Sequence, residues 1–141
     1  LFSVVAILIG CDPGITIRQV PSRKFGTVYG QLAIEISPVN SFSYSRFYGA
    51  KTKLTNTPKS SITITGCELA DRSTIYESRL GGGEYCPIEL APGSSKSFGP
   101  FFELHDPVRD MFKNSAELRV HYPIEGRQQL ASATLRGGSL H

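Results

Sequence analysis

Apolar and polar residues alternate along most of this chain. Ile15 and Ile17 alternate with Thr16 and Arg18, and Leu32, Ile34 and Ile36 with Gln31, Ala33 and Glu35. The same period of two recurs at Ile62 and Ile64, at Cys86, Ile88 and Leu90, at Leu118, Val120 and Tyr122, and at Ala131, Ala133 and Leu135. A period of two puts one apolar and one polar face on each run, as expected of antiparallel strands that cover a core on one side. Turn residues separate the runs at Ser37-Pro38-Val39-Asn40, Asn56-Thr57-Pro58, Ala91-Pro92-Gly93 and Pro123-Ile124-Glu125-Gly126. Gly81-Gly82-Gly83 reads as a loop tip, since it lacks the Lys and the following helix of a phosphate cradle.

Two segments depart from simple alternation. Around residue 64 the apolar phase moves from Ile62 and Ile64 to Cys67 and Leu69, with Gly66 at the change. This predicts a β-bulge that turns Cys67 inward. Between Asp106 and Asn114 the spacing is helical: Val108, Met111 and Phe112 fall at i, i+3 and i+4. Asp106 is expected to cap this helix and Pro107 to occupy its first position. The segment is short enough to be a connection between strands.

The 141 residues are 40% apolar, 10% aromatic and 19% charged. That supports one domain with a core rather than two domains or a disordered chain. A net charge of +3 is too mild to imply nucleic acid as a partner. About seven to nine short strands in roughly 130 residues predict an all-β, antiparallel two-sheet β-sandwich over residues 15–141. Ile88 to Phe98 (IELAPGSSKSF), Ala116 to Pro123 (AELRVHYP) and Ala131 to Gly137 (ASATLRG) are similar in style to bacterial immunoglobulin-like domains. The resemblance implies a strand, a Pro-Gly turn and a closing hairpin. The chain departs from antibody-type domains in having no Trp and a short spacing between Cys67 and Cys86.

Residues 1–10, LFSVVAILIG, contain no charge. They are too few to cross a hydrocarbon core, which takes roughly 20 helical residues, and they match the apolar region of a secretory signal. The absence of Met and of a basic leader implies that a longer reading frame precedes Leu1. The stretch closes on Leu8-Ile9-Gly10-Cys11, which resembles the lipobox of bacterial lipoproteins. The resemblance implies cleavage before Cys11, lipidation of its thiol, and a tether (residues 11–14) that holds the domain close to a bilayer. Several acyl chains anchor durably where one binds only marginally. Asp12 resembles the inner-membrane retention signal of enterobacterial lipoproteins. A buried N-terminal strand and an ordinary cleaved signal are the alternatives, the latter without its A-x-A site.

With Cys11 lipidated, Cys67 and Cys86 remain as one pair in an oxidising compartment. A bridge would close a loop of about 20 residues and contribute on the order of 3 kcal/mol. Buried thiols are the alternative. A metal site is disfavoured, because no CxxC or HxxxH spacing accompanies the pair. No cofactor is expected.

The sequence holds no GxSxG elbow, P-loop or HExxH motif. His105 is expected to be exposed beside the helix cap, and His121 to point outward from its strand. The candidate binding residues are Phe42, Tyr44, Phe47 and Tyr48, four aromatics in one short segment. Alternation cannot bury all four, and exposed rings suit sugar or protein contacts. Residues 12–60 carry seven basic groups (Arg18, Arg23, Lys24, Arg46, Lys51, Lys53, Lys59) against two acidic ones, while residues 61–141 carry eight against ten. A basic half near the anchor favours anionic headgroups. The sequence thus predicts a lipid-anchored, periplasm-facing envelope protein, at the inner or the outer membrane. It would serve as a non-catalytic binding or assembly module, its partner another envelope protein or cell-wall glycan. A carbohydrate- or peptidoglycan-binding module and a small envelope hydrolase are the rival readings.

Overall fold

A computed structural model describes residues 14–20, 32–57, 60–78 and 87–139. Cys11, Gly81-Gly82-Gly83 and Cys86 lie outside the described residues. The fold is an all-β antiparallel sandwich with one short helix. In chain order the strands are β1 (Ile15–Gln19), β2 (Leu32–Ile36), β3 (Val39–Ser41), β4 (Phe47–Gly49), β5 (Thr52–Asn56), β6 (Ile62–Ile64), β7 (Gly66–Ala70), β8 (Ile75–Glu77), β9 (Ile88–Leu90), β10 (Ser95–Phe98) and β11 (Phe101–Glu103). After the helix α1 (Val108–Met111) come β12 (Ala116–Ile124) and β13 (Arg127–Ser139).

One layer is a six-stranded sheet in the order β3-β1-β13-β12-β7-β8. The opposing layer is built from the three-stranded sheet β10-β5-β2 and the ribbons β11-β4 and β6-β9. The alternation places the core as expected: Ile15, Ile17, Ile62, Ile64, Ile88, Leu90, Leu118, Val120, Tyr122, Ala131, Ala133 and Leu135 are all buried. The core has two adjoining parts, and both Ile34 and Cys67 pack against each of them.

The β12-β13 hairpin is the spine of the molecule. Its register runs from Ala116 opposite Leu135 to Ile124 opposite Arg127. Beyond Leu135, β13 continues alone and pairs with β1 as far as Ser139. The turn is Glu125-Gly126, both at positive φ (50° and 79°), which is the geometry whose twist matches paired strands. The expected turn residues Pro123 and Ile124 therefore belong to the strand. Pro123 is tolerated there because pairing with β7 ends at His121 and Gly66, so no neighbour on that side asks for its missing N–H.

Three local expectations are corrected. Gly66 is not a bulge within one strand. The chain changes sheets at Thr65-Gly66, passing from the ribbon with β9 to the six-stranded sheet. The corner is pinned where the Thr65 amide (2.8 Å) and hydroxyl (3.1 Å) both donate to the His121 carbonyl. Val39 and Asn40 are strand rather than turn, because the segment adds an edge to β1. The helix is a single turn beginning after Pro107, with no side-chain cap from Asp106. Its first amides are taken by tertiary partners instead: Val108 N donates to Ser45 O (2.7 Å) and Arg109 N to Ser43 O (3.1 Å). The predicted face of Val108, Met111 and Phe112 is buried.

Two amide side chains join elements that share no strand ladder. Gln19, at the end of β1, donates to the Ile34 carbonyl (3.1 Å) and accepts from the Ile36 amide (2.9 Å), acting as one extra peptide unit beside β2. Buried Asn56 donates to the carbonyls of Ser60 (2.7 Å) and Leu90 (2.9 Å), fixing the end of β5 against β9.

Candidate functional site

The segment between β3 and β4 carries the candidate aromatics. A tight turn, closed by Ser45 N donating to Phe42 O (3.1 Å), forces Phe42 and Tyr44 outward while Ser43 is buried against the helix start. Phe42 is 73%, Tyr44 65% and Phe47 50% exposed. Tyr48 does not share this surface. It is 2% exposed, packs edge-on against Phe112 at 5.0 Å, and has a hydroxyl with no partner among the described residues. Strand alternation explains the split: Phe47 faces out from β4, so its neighbour Tyr48 must face in.

Two residues that the sequence reading passed over complete the surface. Phe101 on β11 stacks on Phe47 with ring centroids 5.5 Å apart. Its legible sign is the Phe101-Phe102 doublet, of which only one ring can point inward, and Phe102 takes that place. Arg109 donates to the Tyr44 hydroxyl (3.0 Å) and lies over its ring, 5.9 Å from the centroid. Tyr44 is thereby held in a fixed orientation on α1. Exposed rings of this kind offer flat apolar area with a polar rim, suited to a sugar face, a partner surface or a membrane interface.

A groove of about 360 Å³ lies beside this segment, lined by Ile15, Arg109, Asp110, Phe112, Lys113, Arg136, Gly137 and Gly138. Gly137 is tightly packed in its wall. Its amide donates to Phe112 O (2.9 Å), and a Cβ there would lie 3.1 Å from both Phe112 Cβ and Ile15 Cδ1. Lys113 lies two residues beyond the end of α1, and Arg136 comes from β13. A second groove of about 440 Å³ runs past Glu35, Lys51, Lys53 and Phe98 at the three-stranded sheet.

The outer face of the six-stranded sheet holds a separate polar network. Glu68 on β7 accepts from His121 Nε2 (2.6 Å) and lies 3.6 Å from Arg119, which also pairs with Glu117 (3.1 Å). His121 is thus outward, as the alternation requires, and Arg119 sits directly opposite Glu68 in the register. His105 is exposed and packs edge-on against Tyr76 at 5.1 Å. Among the described residues no group of three or more His, Cys, Asp or Glu side chains is arranged to hold a metal, and no helix is long and apolar enough to cross a membrane.

Of the expected cysteine pair, Cys67 is half-buried on β7 opposite Val120, and Cys86 lies outside the described residues. Of the basic residues expected near an anchor, Arg18, Arg46, Lys51 and Lys53 are exposed, while Arg23, Lys24 and Lys59 lie outside the described residues. The chain matches no protein-family model, no curated protein and no solved structure.

Proposed function

We propose that the protein is a bacterial envelope lipoprotein, acylated at Cys11, whose β-sandwich serves as a non-catalytic binding or assembly module facing the periplasm. The observation that carries this reading is the position of β1. It enters the six-stranded sheet at Ile15, four residues beyond Cys11, and is paired on both sides, with β3 and β13. The chain between lipid and sheet is then at most about 14 Å long, so acyl chains at Cys11 hold this end of the domain at the bilayer. Asp12 weighs toward the inner membrane. The terminal hairpin and the antiparallel sandwich support kinship with immunoglobulin-like domains.

The same reading includes a Cys67–Cys86 bridge. Ile64 faces Ile88 across the β6-β9 ribbon, and each cysteine lies within three residues of one of them. Intact mass with and without reduction and alkylation tests it. For the anchor, Cys11→Ser should move the protein out of the detergent-extracted membrane fraction and leave it unprocessed; unchanged fractionation and processing would contradict the assignment.

A second reading is favoured by the exposed rings of Phe42, Tyr44 and Phe47, which would stack on the apolar faces of cell-wall sugars. Sedimentation with purified sacculi should then fall on alanine substitution at all three. Binding that is absent, or unchanged in the triple variant, removes this reading.

A further inference from the structure

The register of the six-stranded sheet gathers one end of the molecule. Ile15 is opposite Ser41 on one side and Ser139 on the other. Phe42 follows Ser41, Tyr44 belongs to the same turn, Arg109 to the helix packed beside it, and Lys113 comes just after that helix. The groove that runs from Ile15 to Gly138 opens at this same end. The end from which the chain leaves toward Cys11 is therefore also the end that carries exposed aromatics and clustered cations.

The cations there lack counter-charges. Arg18 and Arg136 stand directly opposite each other on β1 and β13, a like-charge pairing that disfavours the sheet unless an anion lies between. Among the described residues, no carboxylate ion-pairs with Arg18, Arg109, Lys113 or Arg136, although Asp110 lines the groove. Farther across the same sheet Arg119 is paired twice, with Glu117 and Glu68. The cations at this end are left open.

We propose that this end is a membrane-docking surface, in which Arg109, Lys113 and Arg136 take the phosphate of an anionic phospholipid headgroup while Phe42 and Tyr44 enter the interfacial layer. Arginines and lysine offer donors matched to phosphate oxygens, and Tyr and Phe rings at the headgroup level are a recurrent interfacial anchor. Three of these cations come from the half of the chain that is net acidic, so the charge balance of the halves did not locate them. The proposal rests on the lipoprotein reading, because the anchor is what brings this end to a bilayer.

The test measures partition of the full chain carrying Cys11→Ser onto vesicles of phosphatidylcholine alone and of phosphatidylcholine with roughly 30% phosphatidylglycerol. Any insertion by the apolar leader is common to both vesicles and cancels in their ratio. The ratio should favour the anionic vesicles and fall as salt rises. It should drop more than about tenfold in Arg109→Glu/Lys113→Glu/Arg136→Glu and less in the corresponding Gln variant. The control Lys51→Glu/Lys53→Glu/Lys96→Glu, with the same charge change at β5, just before it and at β10, should leave it nearly unchanged. A ratio near one, or an equal loss in the control, overturns the proposal. So does a groove that is saturated by millimolar inorganic phosphate in an NMR titration while the vesicle preference is absent, which would make it a site for free phosphate. Palmitate labelling of Cys11 in cells separates the two claims. Labelling without vesicle preference removes the docking surface and leaves the anchor. No labelling removes the anchor and, with it, the reason for this end to meet a membrane.

Discussion

The buried hydroxyl of Tyr48 is a local cost within an otherwise apolar contact. It has no hydrogen-bond partner among the described residues, and burial pushes the phenol well above its usual pKa. An unfolded tyrosine titrates near pH 10. Below that pH both states hold the proton and stability is unaffected. Above it the unfolded state releases the proton while the native state retains it, so stability falls as pH rises. Tyr48→Phe is therefore expected to be neutral or stabilising by up to about 1 kcal/mol at pH 7. Urea midpoints for the two proteins should diverge above about pH 10, with the wild type losing more. Gly137 argues in the other direction. Because Phe112 is fixed by the core and by the hydrogen bond to Gly137 itself, Gly137→Ala should destabilise by about 1–3 kcal/mol in the same assay.

At the scale of elements, the β12-β13 turn is one substitution from a better sequence. Glu125 holds φ at 50°, a region that costs a residue with a long side chain, whereas Asn tolerates it and Asn-Gly is the favoured pair for this turn. Glu125→Asn should raise stability by about 0.5–1 kcal/mol, seen as a higher thermal midpoint with an unchanged circular dichroism spectrum. The hairpin also shows what was legible beforehand. Leu118, Val120, Tyr122, Ala131, Ala133 and Leu135 announced their inward faces by alternation, because one buried face leaves a period of two in any strand. The short strands β3, β4, β8 and β11 did not, since none of them flanks a polar residue with two apolar ones as the equally short β6 and β9 do, and the partners of β3, β4 and β11 are distant in sequence. The sheet change at Gly66 reads locally like a bulge, and only the pairing partners distinguish the two. For α1 the buried face was legible, but its capping came from the carbonyls of Ser43 and Ser45, which no local rule names.

Across the whole molecule, the candidate site was half readable. Four aromatics in one segment announced a turn with exposed rings, and alternation alone assigns Phe47 and Tyr48 to opposite faces. It could not show that Arg109 would lie over Tyr44, or that Arg136 would arrive from the far end of the chain, because both depend on tertiary assembly. The layers themselves are held by a few long-range polar contacts as well as by the core. Gln19 bridges β1 to β2, so Gln19→Ala should cost about 1–3 kcal/mol in urea unfolding by leaving the Ile34 and Ile36 backbone groups short of a partner.

Strand pairing, aromatic turn and cationic groove converge at Ile15, four residues beyond Cys11. The most direct measurement is mass spectrometry of the mature protein recovered from the membranes of the cells that make it. Acylation at Cys11 predicts a chain that starts there and carries thioether-linked diacylglycerol on its sulfur. A chain that retains Leu1–Gly10 and an unmodified Cys11 would contradict it.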